Sequence, residues 1–158
     1  MNKKVSHETW MFKAIKQAEK AFSCDEVPIG CVIVKDDFII GQGYNQVESL
    51  NDATAHCEMI AITSAANYLG DWRLNDCSLY VTKEPCMMCF GAIVNSRIQN
   101  LYYGMQDLSK GYNIKIKDEY LFNTHLQNIK FGILEDQSRF LVEDFFINKR
   151  KKNKKTYK

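Results

Sequence analysis

Residues 77–89 read Cys-Ser-Leu-Tyr-Val-Thr-Lys-Glu-Pro-Cys-Met-Met-Cys, and this stretch changes from a strand pattern to a helix pattern within a few positions. The apolar and β-branched residues of 77–82 predict a short strand. Pro85 cannot donate a hydrogen bond to a sheet and pre-sets the torsion of a first helical turn, so we expect a helix to begin near Cys86. A strand that passes directly into a helix is typical of α/β domains.

The patterns on either side predict further strands and helices in alternation. They comprise a helix from about His7 to Phe22 with Ser6 as its N-cap, strands at 29–35 and 38–43, a helix from about Thr54 to Tyr68 that stops at Gly70, strands at 101–104 and 128–134, and a last helix from about Asp136. We interpret residues 105–127 as a loop with room for one short helix. This alternation predicts a three-layer α/β domain around a mostly parallel or mixed sheet.

The length of 158 residues suits one compact domain, and 46% apolar against 25% charged residues allows a proper hydrophobic core. No apolar run approaches the roughly 18 residues that a membrane span needs. The first four residues include two lysines but no apolar segment follows them, so a signal peptide is not predicted. We therefore expect the protein in the cytoplasm, with no membrane contact.

The last ten residues hold seven of the 21 lysines and arginines. The remainder has 14 basic residues against 19 acidic ones, a net charge of −5, whereas the whole chain carries +2. A basic segment on an acidic body fits contact with a polyanion, although a solvated charged end is the more ordinary interpretation. We divide the chain into a domain of residues 1–148 and a basic tail of residues 149–158 that is a candidate for disorder.

One histidine and two cysteines have the spacing of a metal site. Cys86 and Cys89 are three residues apart, so one helical turn places both sulfurs on one face. At a helix N-terminus the free backbone N–H groups and the macrodipole stabilise thiolate, the form that binds metal. His56 stands at the start of another predicted helix. One imidazole and two thiolates suit Zn²⁺ and leave a position for water, as in catalytic zinc sites.

Glu58 is a candidate to move protons beside a water that a metal activates. The spacing of two residues does not place His56 and Glu58 on one face of a regular helix. Both must therefore lie in the first helical turn and approach the metal from different sides.

Other interpretations of the six cysteines remain open. Cys86 and Cys89 alone would also fit a redox pair or two core residues. A structural zinc would need a fourth protein ligand, and the candidates are Cys24, Cys31, Cys57 and Cys77. Next to His56 in a helix, Cys57 should point away from the metal, and the others are better interpreted as small core residues.

Together the candidate residues form the pattern H-x-E…P-C-x-x-C, which is typical of the zinc-dependent nucleobase deaminases. The chain resembles the bacterial tRNA adenosine deaminases of that family over nearly its whole length. The similar segments are 26–30, 43–45, 51–58, 79–82, 84–89, 91–92, 96–98 and 144–146.

The resemblance implies an α/β/α cytidine-deaminase-like fold with a mixed five-stranded sheet, and a homodimer whose active sites lie near the subunit interface. It implies zinc-dependent, hydrolytic conversion of adenosine to inosine at wobble position 34 of an arginine tRNA, so the expected partner is the tRNA anticodon stem-loop. His56, Cys86 and Cys89 would hold one Zn²⁺ per subunit. Glu58 would be the catalytic residue that passes protons to the adenine ring and to the leaving amine.

The resemblance also implies substrate contacts. Asn45 matches an asparagine that hydrogen-bonds the purine, and Asp107 matches an acidic residue near the ribose of a neighbouring nucleotide. Lys149 and Arg150 match a basic stretch of the last helix that contacts the RNA backbone, where cationic side chains supply salt-dependent affinity. Lys110 is a further candidate for substrate binding.

The chain departs from the family pattern in several places. Residues 108–113 read Leu-Ser-Lys-Gly-Tyr-Asn where many members have Lys-Thr-Gly-Ala-Ala-Gly-Ser, which leaves the RNA contacts of this loop open. Ala53 replaces a usual proline, Lys83 stands where leucine is common, and Cys57 replaces a common alanine.

Two other functions remain as alternatives. A free-base or nucleoside deaminase acting on guanine or cytosine would share the zinc chemistry but lack an RNA groove. A binding module stabilised by zinc would keep the metal and perform no chemistry.

Overall fold

The computed structural model describes residues 5–116 and 124–156 of the chain. Its elements, in chain order, are α1 (His7–Ser23), β1 (Gly30–Lys35), β2 (Phe38–Tyr44), α2 (Val47–Leu50), α3 (Cys57–Leu69), β3 (Ser78–Lys83), α4 (Met87–Asn95), β4 (Asn100–Met105), a 3-10 helix (Tyr112–Ile114), β5 (Asn128–Lys130) and α5 (Glu135–Thr156).

The strands form one sheet in the order β2-β1-β3-β4-β5. Strand β1 runs antiparallel to both β2 and β3, whereas β3, β4 and β5 run parallel to one another. A tight turn joins β1 to β2, and its two residues, Asp36 and Asp37, both have positive φ angles (51° and 60°), as such hairpin turns require. The predicted α/β fold with a mixed five-stranded sheet is confirmed.

Helices cover both faces of the sheet, which gives the three layers. Successive residues of β1 point to opposite faces. Cys31 and Ile33 join a core with α3 and α4, while Val32 and Val34 join a second core with α1. The sheet is therefore buried on both sides.

The first helix begins at the predicted cap. Ser6 has extended torsions (φ −73°, ψ 155°), and its hydroxyl oxygen accepts a hydrogen bond of 3.3 Å from the backbone N–H of Thr9. The predicted end of α3 is also confirmed, because Gly70 follows it with a φ of +66°.

Helix α3 begins at Cys57 rather than near Thr54, because a turn holds the segment before it. The side chain of Asp52 accepts hydrogen bonds from the backbone N–H (2.8 Å) and the hydroxyl (2.7 Å) of Thr54. His56 then keeps extended torsions (φ −74°, ψ 153°). Upstream, the short helix α2 lies between β2 and α3, where the sequence pattern predicts neither a helix nor a strand.

The last two elements differ in length from the prediction. Strand β5 ends at Lys130, because Gly132 (φ 84°) and Leu134 (φ 50°) have torsions that no strand adopts. Helix α5 continues to Thr156 instead of ending before the basic tail, since Lys and Arg are good helix formers.

Two glycines of β2 let α3 lie close to the sheet. A Cβ atom on Gly41 would lie 2.5 Å from the carbonyl oxygen of Ala61, and one on Gly43 would collide with the carbonyl oxygen of Cys57. Both positions therefore require glycine. The close approach holds the start of α3, where His56 lies, against the end of β2.

Residues 117–123 of the predicted 105–127 loop, and residues 157–158 of the basic tail, lie outside the described residues. Within the described ranges, no helix combines the length and apolar character needed to cross a bilayer.

Candidate metal centre and substrate cleft

His56, Cys86 and Cys89 converge where two helices begin. His56 is the N-cap of α3, Cys86 is the N-cap of α4, and Cys89 lies in the first turn of α4. The Nδ1 atom of His56 lies 3.7 Å from Sγ of Cys86 and 3.5 Å from Sγ of Cys89. The potential ligand atoms of the three residues all lie within 4.8 Å of one another. The structure thus brings together the three residues that the sequence grouped.

The environment of this cluster favours a thiolate. Hydrogen bonds from Cys89 and His56 lower the pKa of Cys86 to about 3. The hydrogen bond with Cys86 in turn raises the pKa of His56. The pKa of Cys89 is also raised, mainly by its hydrogen bond with Cys86 and to a smaller extent by burial. A divalent cation would take the place of the shared protons, because metal ligands bind in their deprotonated form.

The donor set fits a zinc ion. One imidazole nitrogen and two cysteine sulfurs are ligands that Zn²⁺ prefers. In the described parts of the chain, no fourth His, Cys, Asp or Glu atom joins the cluster. The three other buried cysteines lie in the core and Cys24 is exposed, which argues against a structural zinc with four protein ligands.

Glu58 is the second residue of α3, and only 4% of its surface is exposed. Its Oε2 accepts a hydrogen bond of 3.2 Å from the thiol of Cys57. Burial raises the pKa of Glu58, so the carboxyl group holds a proton to a higher pH than an ordinary glutamate does. A carboxyl group with a raised pKa is better suited to act as a proton donor as well as a proton acceptor.

A cavity of about 290 Å³ opens beside the cluster. Its lining includes His56, Glu58 and Cys86, so the candidate ligands and the candidate acid face the same space. This volume is close to the lower end of ligand pockets, about 300 Å³. The remaining lining combines apolar side chains with polar ones, among them Asn45, Asp107, Lys110 and Lys149.

Asn45 follows β2 and connects the sheet to α3. Its Oδ1 accepts a hydrogen bond of 2.9 Å from the backbone N–H of Cys57, one of the free N–H groups at the helix start. Its own backbone N–H donates to the carbonyl oxygen of Ile29 at 3.1 Å. With Oδ1 engaged in this way, the amide NH₂ of Asn45 is the group suited to contact a purine acceptor.

Asp107 follows β4, and both of its carboxylate oxygens are engaged. Oδ2 forms an ion pair of 2.6 Å with Nζ of Lys83. Oδ1 accepts hydrogen bonds from the backbone N–H groups of Ser109 and Lys110, at 3.0 Å each, and from the Ser109 hydroxyl at 2.9 Å. Burial acts to raise the pKa of Asp107, but Lys83 and the turn donors outweigh it and lower this pKa well below its usual range. Asp107 therefore holds the 107–110 turn as an ionised group.

Two buried glutamates, Glu26 and Glu84, line the same cavity and were not among the site residues predicted from the sequence. Glu84 accepts hydrogen bonds from the backbone N–H groups of Asp107 (2.9 Å) and Asn113 (3.0 Å). Glu26 accepts from two N–H groups of α2, at 2.7 and 3.2 Å. Each glutamate stands within two residues of one of the two prolines of the chain, which marks a place where the backbone leaves regular structure.

The basic candidates occupy different places. Lys110 is exposed and lines the cavity. Lys149 also lines it, with Nζ 3.8 Å from Oδ2 of Asp25 and 5.1 Å from the ring centroid of Phe145. Arg150 is exposed on α5 and is not among the described residues that line this cavity.

Comparison with known proteins gives matches over most of the chain. A family model described as MafB19-like deaminase matches residues 5–151. A tRNA-specific adenosine deaminase of Streptococcus pyogenes serotype M18 is 42% identical over 150 residues, which cover 92% of this chain and 92% of that protein.

Solved structures share the fold. One, from a study of A-to-I editing by tRNA:A34 deaminases at the wobble position of transfer RNA, is 38% identical with a TM-score of 0.77, and the match covers 84% of this chain and 98% of that chain. A guanine deaminase from Bacillus subtilis is 37% identical with a TM-score of 0.63, and the match covers 75% of each chain.

Proposed function

This chain belongs to the MafB19-like deaminase family, with tRNA-specific adenosine deaminases among its relatives at 42% identity, and from that premise we propose that it converts adenosine to inosine at wobble position 34 of an arginine tRNA. The reaction is a hydrolysis in which water supplies the oxygen at C6 of adenine and ammonia leaves. One observation carries the proposal: His56, Cys86 and Glu58 line the same small cavity.

In this proposal His56, Cys86 and Cys89 hold one zinc ion per subunit. When bound, zinc supplies a Lewis acid that lowers the pKa of a water molecule. Cys86 and Cys89 contribute as thiolates at the start of α4, where backbone N–H groups and the helix dipole favour negative charge.

Glu58 moves the protons. Its carboxylate takes a proton from the attacking water and delivers it to N1 of adenine. It then takes the second proton from the new hydroxyl group at C6 and delivers it to the departing amino group, so that a carbonyl remains at C6 and ammonia leaves. Burial makes this exchange feasible, because it raises the pKa of Glu58 towards the pH at which the enzyme works. Asn45 holds the purine through its amide NH₂, while its oxygen keeps the start of α3 in place.

We also propose that the basic residues Lys110, Lys149 and Arg150, with the 149–158 segment beyond the 1–148 domain, contact the anticodon stem-loop. Exposed Lys110 and half-buried Lys149 line the cavity and support this assignment, because phosphate contacts from cationic side chains supply a large, salt-dependent share of the affinity for nucleic acids. Because its substrate would be tRNA, we place the protein in the cytoplasm.

The deciding experiment treats an arginine tRNA that carries adenosine 34 with the zinc-loaded protein and sequences the anticodon. We expect inosine at position 34 and unchanged adenosines elsewhere in the loop. Absence of inosine with a fully zinc-loaded protein would overturn the proposal.

A free-base guanine deaminase is the second candidate, because the Bacillus subtilis guanine deaminase is 37% identical. Release of ammonia from free guanine, together with an inert tRNA, would favour it.

We propose that the protein is a homodimer that associates through α3 and α4. A shallow groove of about 440 Å³ between these helices includes Ile62, Ala66 and Trp72. Trp72 is 52% exposed and Tyr68, which belongs to α3, is 70% exposed, and large exposed apolar side chains that form a patch mark association sites. Analytical ultracentrifugation of the protein and of its Trp72→Glu variant tests the proposal, since only the variant should sediment as a monomer.

A further inference from the structure

Lys83 ends β3 three residues before Cys86, and it lines the same cavity as His56 and Glu58. The side chain of Lys83 is 24% exposed, against 40% for Lys149, and Lys110 belongs to the exposed residues. Of the three lysines in the described part of the chain that line the cavity, Lys83 is thus the most enclosed.

The ammonium group of Lys83 has a fixed position. Its Nζ lies 2.6 Å from Oδ2 of Asp107, and that carboxylate is itself held by three hydrogen bonds from the 107–110 turn. An ammonium has three N–H donors, so the ion pair leaves two of them for another acceptor. Among the described residues, Asp107 is the one polar partner of Lys83.

The cavity needs a cation at this place to accept a polyanion. Among the described residues, its lining has six carboxyl side chains and three lysines. Glu26 and Glu84 are bound to backbone N–H groups and do not repel a phosphate as free carboxylates would. Both Lys83 and Lys149 have an acidic partner, but the side chain of Lys83 is the less exposed of the two, so Lys83 is the more enclosed positive charge on the lining that it shares with His56.

We propose that Lys83 binds a phosphate group that flanks the target adenosine, and that Asp107 holds its ammonium in position for this contact. The inference rests on the proposed action on RNA. It gives Asp107 a role as a positioning residue, because both of its oxygens are engaged within the protein.

The test uses anticodon stem-loops in which one phosphate, either 5′ or 3′ to the target adenosine, is a neutral methylphosphonate. The measured quantity is kcat/KM at several salt concentrations. We expect one of the two substitutions to reduce kcat/KM of the wild type roughly tenfold, as a lost charge-assisted hydrogen bond does. Lys83→Met should lose a similar factor on unmodified RNA, and the same methylphosphonate should cost it little more.

The salt dependence adds a measurement that a merely structural role would not change. Lys83→Met should reduce the slope of log(kcat/KM) against log[salt] by roughly 0.7 to 1. Lys83→Arg should keep most of the slope and the sensitivity to methylphosphonate. Lys16→Met is the matched control, because Lys16 pairs with Glu19 at 2.8 Å on the exposed side of α1, away from the cavity.

If each methylphosphonate reduces kcat/KM by the same factor in the wild type and in Lys83→Met, the inference is wrong. It is also wrong if neither methylphosphonate reduces kcat/KM of the wild type, and this second measurement does not depend on a variant that folds. In those cases the unmodified stem-loop is still deaminated and the proposed function stands. If zinc-loaded wild type leaves every stem-loop unreacted, the proposed function fails and this inference fails with it.

Discussion

The side-chain oxygen of Asn45 accepts a 2.9 Å hydrogen bond from the backbone N–H of Cys57, and this contact joins the end of β2 to the start of α3. Cys57 is flanked in the sequence by the metal-ligand candidate His56 and the acid candidate Glu58. Asn45 therefore has two separable roles, one in holding the helix start and one in contacting the substrate.

Asn45→Asp should separate these roles. An aspartate keeps the oxygen acceptor, and its charge suits a helix N-terminus, so the free energy of unfolding should change little. It lacks the amide NH₂, so deamination should fall by at least tenfold. Asn45→Ala should lose activity and also about 1–3 kcal/mol of stability, because a buried N–H is left unpaired. Urea unfolding measures the stability of the two variants and the deamination assay measures their activity. If Asn45→Asp and Asn45→Ala are equally stable, the side chain of Asn45 does not hold the start of α3.

Glu58→Gln should retain one zinc per subunit and lose at least a hundredfold in kcat, because it removes the proton carrier and no ligand. Metal analysis and single-turnover deamination provide the two measurements. Glu48→Gln is the control, since Glu48 is exposed and lines the same cavity. A Glu58→Gln enzyme with normal activity would exclude Glu58 from the chemistry.

Cys86→Ser should lose zinc and melt at a lower temperature, because metal bound only by the folded state adds to its stability. A strong chelator should lower the melting temperature of the wild type in the same way and have little effect on the variant. Cys24→Ser is the matched control, since Cys24 is an exposed cysteine. Full zinc occupancy in Cys86→Ser would remove Cys86 from the ligand set.

Asp107→Asn should destabilise the protein at pH 7, and the difference should narrow in acid. The pKa of Asp107 is lower in the folded protein than its usual value of 3.8. Its stabilising contribution is therefore complete above pH 3.8 and is lost as the pH falls below that value. Urea unfolding of both proteins at pH 7 and below pH 4 measures the difference. A constant difference across this range would show that the charge of Asp107 does not stabilise the fold.

Lys149→Ala and Arg150→Ala should each weaken binding of the anticodon stem-loop and reduce the slope of its salt dependence by roughly 0.7 to 1. Titrations at several salt concentrations give the slopes. Lys13→Ala, which removes an exposed lysine of α1, should leave the slope unchanged. If the salt dependence of binding in either variant has the same slope as in the wild type, the substituted residue does not contact the RNA and is a solvated surface charge.

The parts of the fold and site that could be predicted are those that follow a local pattern. The spacing of Cys86 and Cys89 is one helical turn, and Pro85 marks where that helix begins. The contacts of Asn45 and Glu84 have no such pattern, because each joins backbone and side chain over 12 to 29 residues. The end of β5 could not be predicted either, because Leu134 has a positive φ and a leucine in the sequence does not indicate that torsion.

Three carboxylates fasten the segments around the cavity: Glu26 holds α2, Glu84 holds the backbone at Asp107 and Asn113, and Asp107 holds its own turn. Because these hydrogen bonds already hold the segments around the cavity, the segments lose little conformational entropy when a ligand binds. The entropy of ordering then falls on the incoming nucleic acid, so anticodon loops that already expose their first base should be favoured over those that must unstack it.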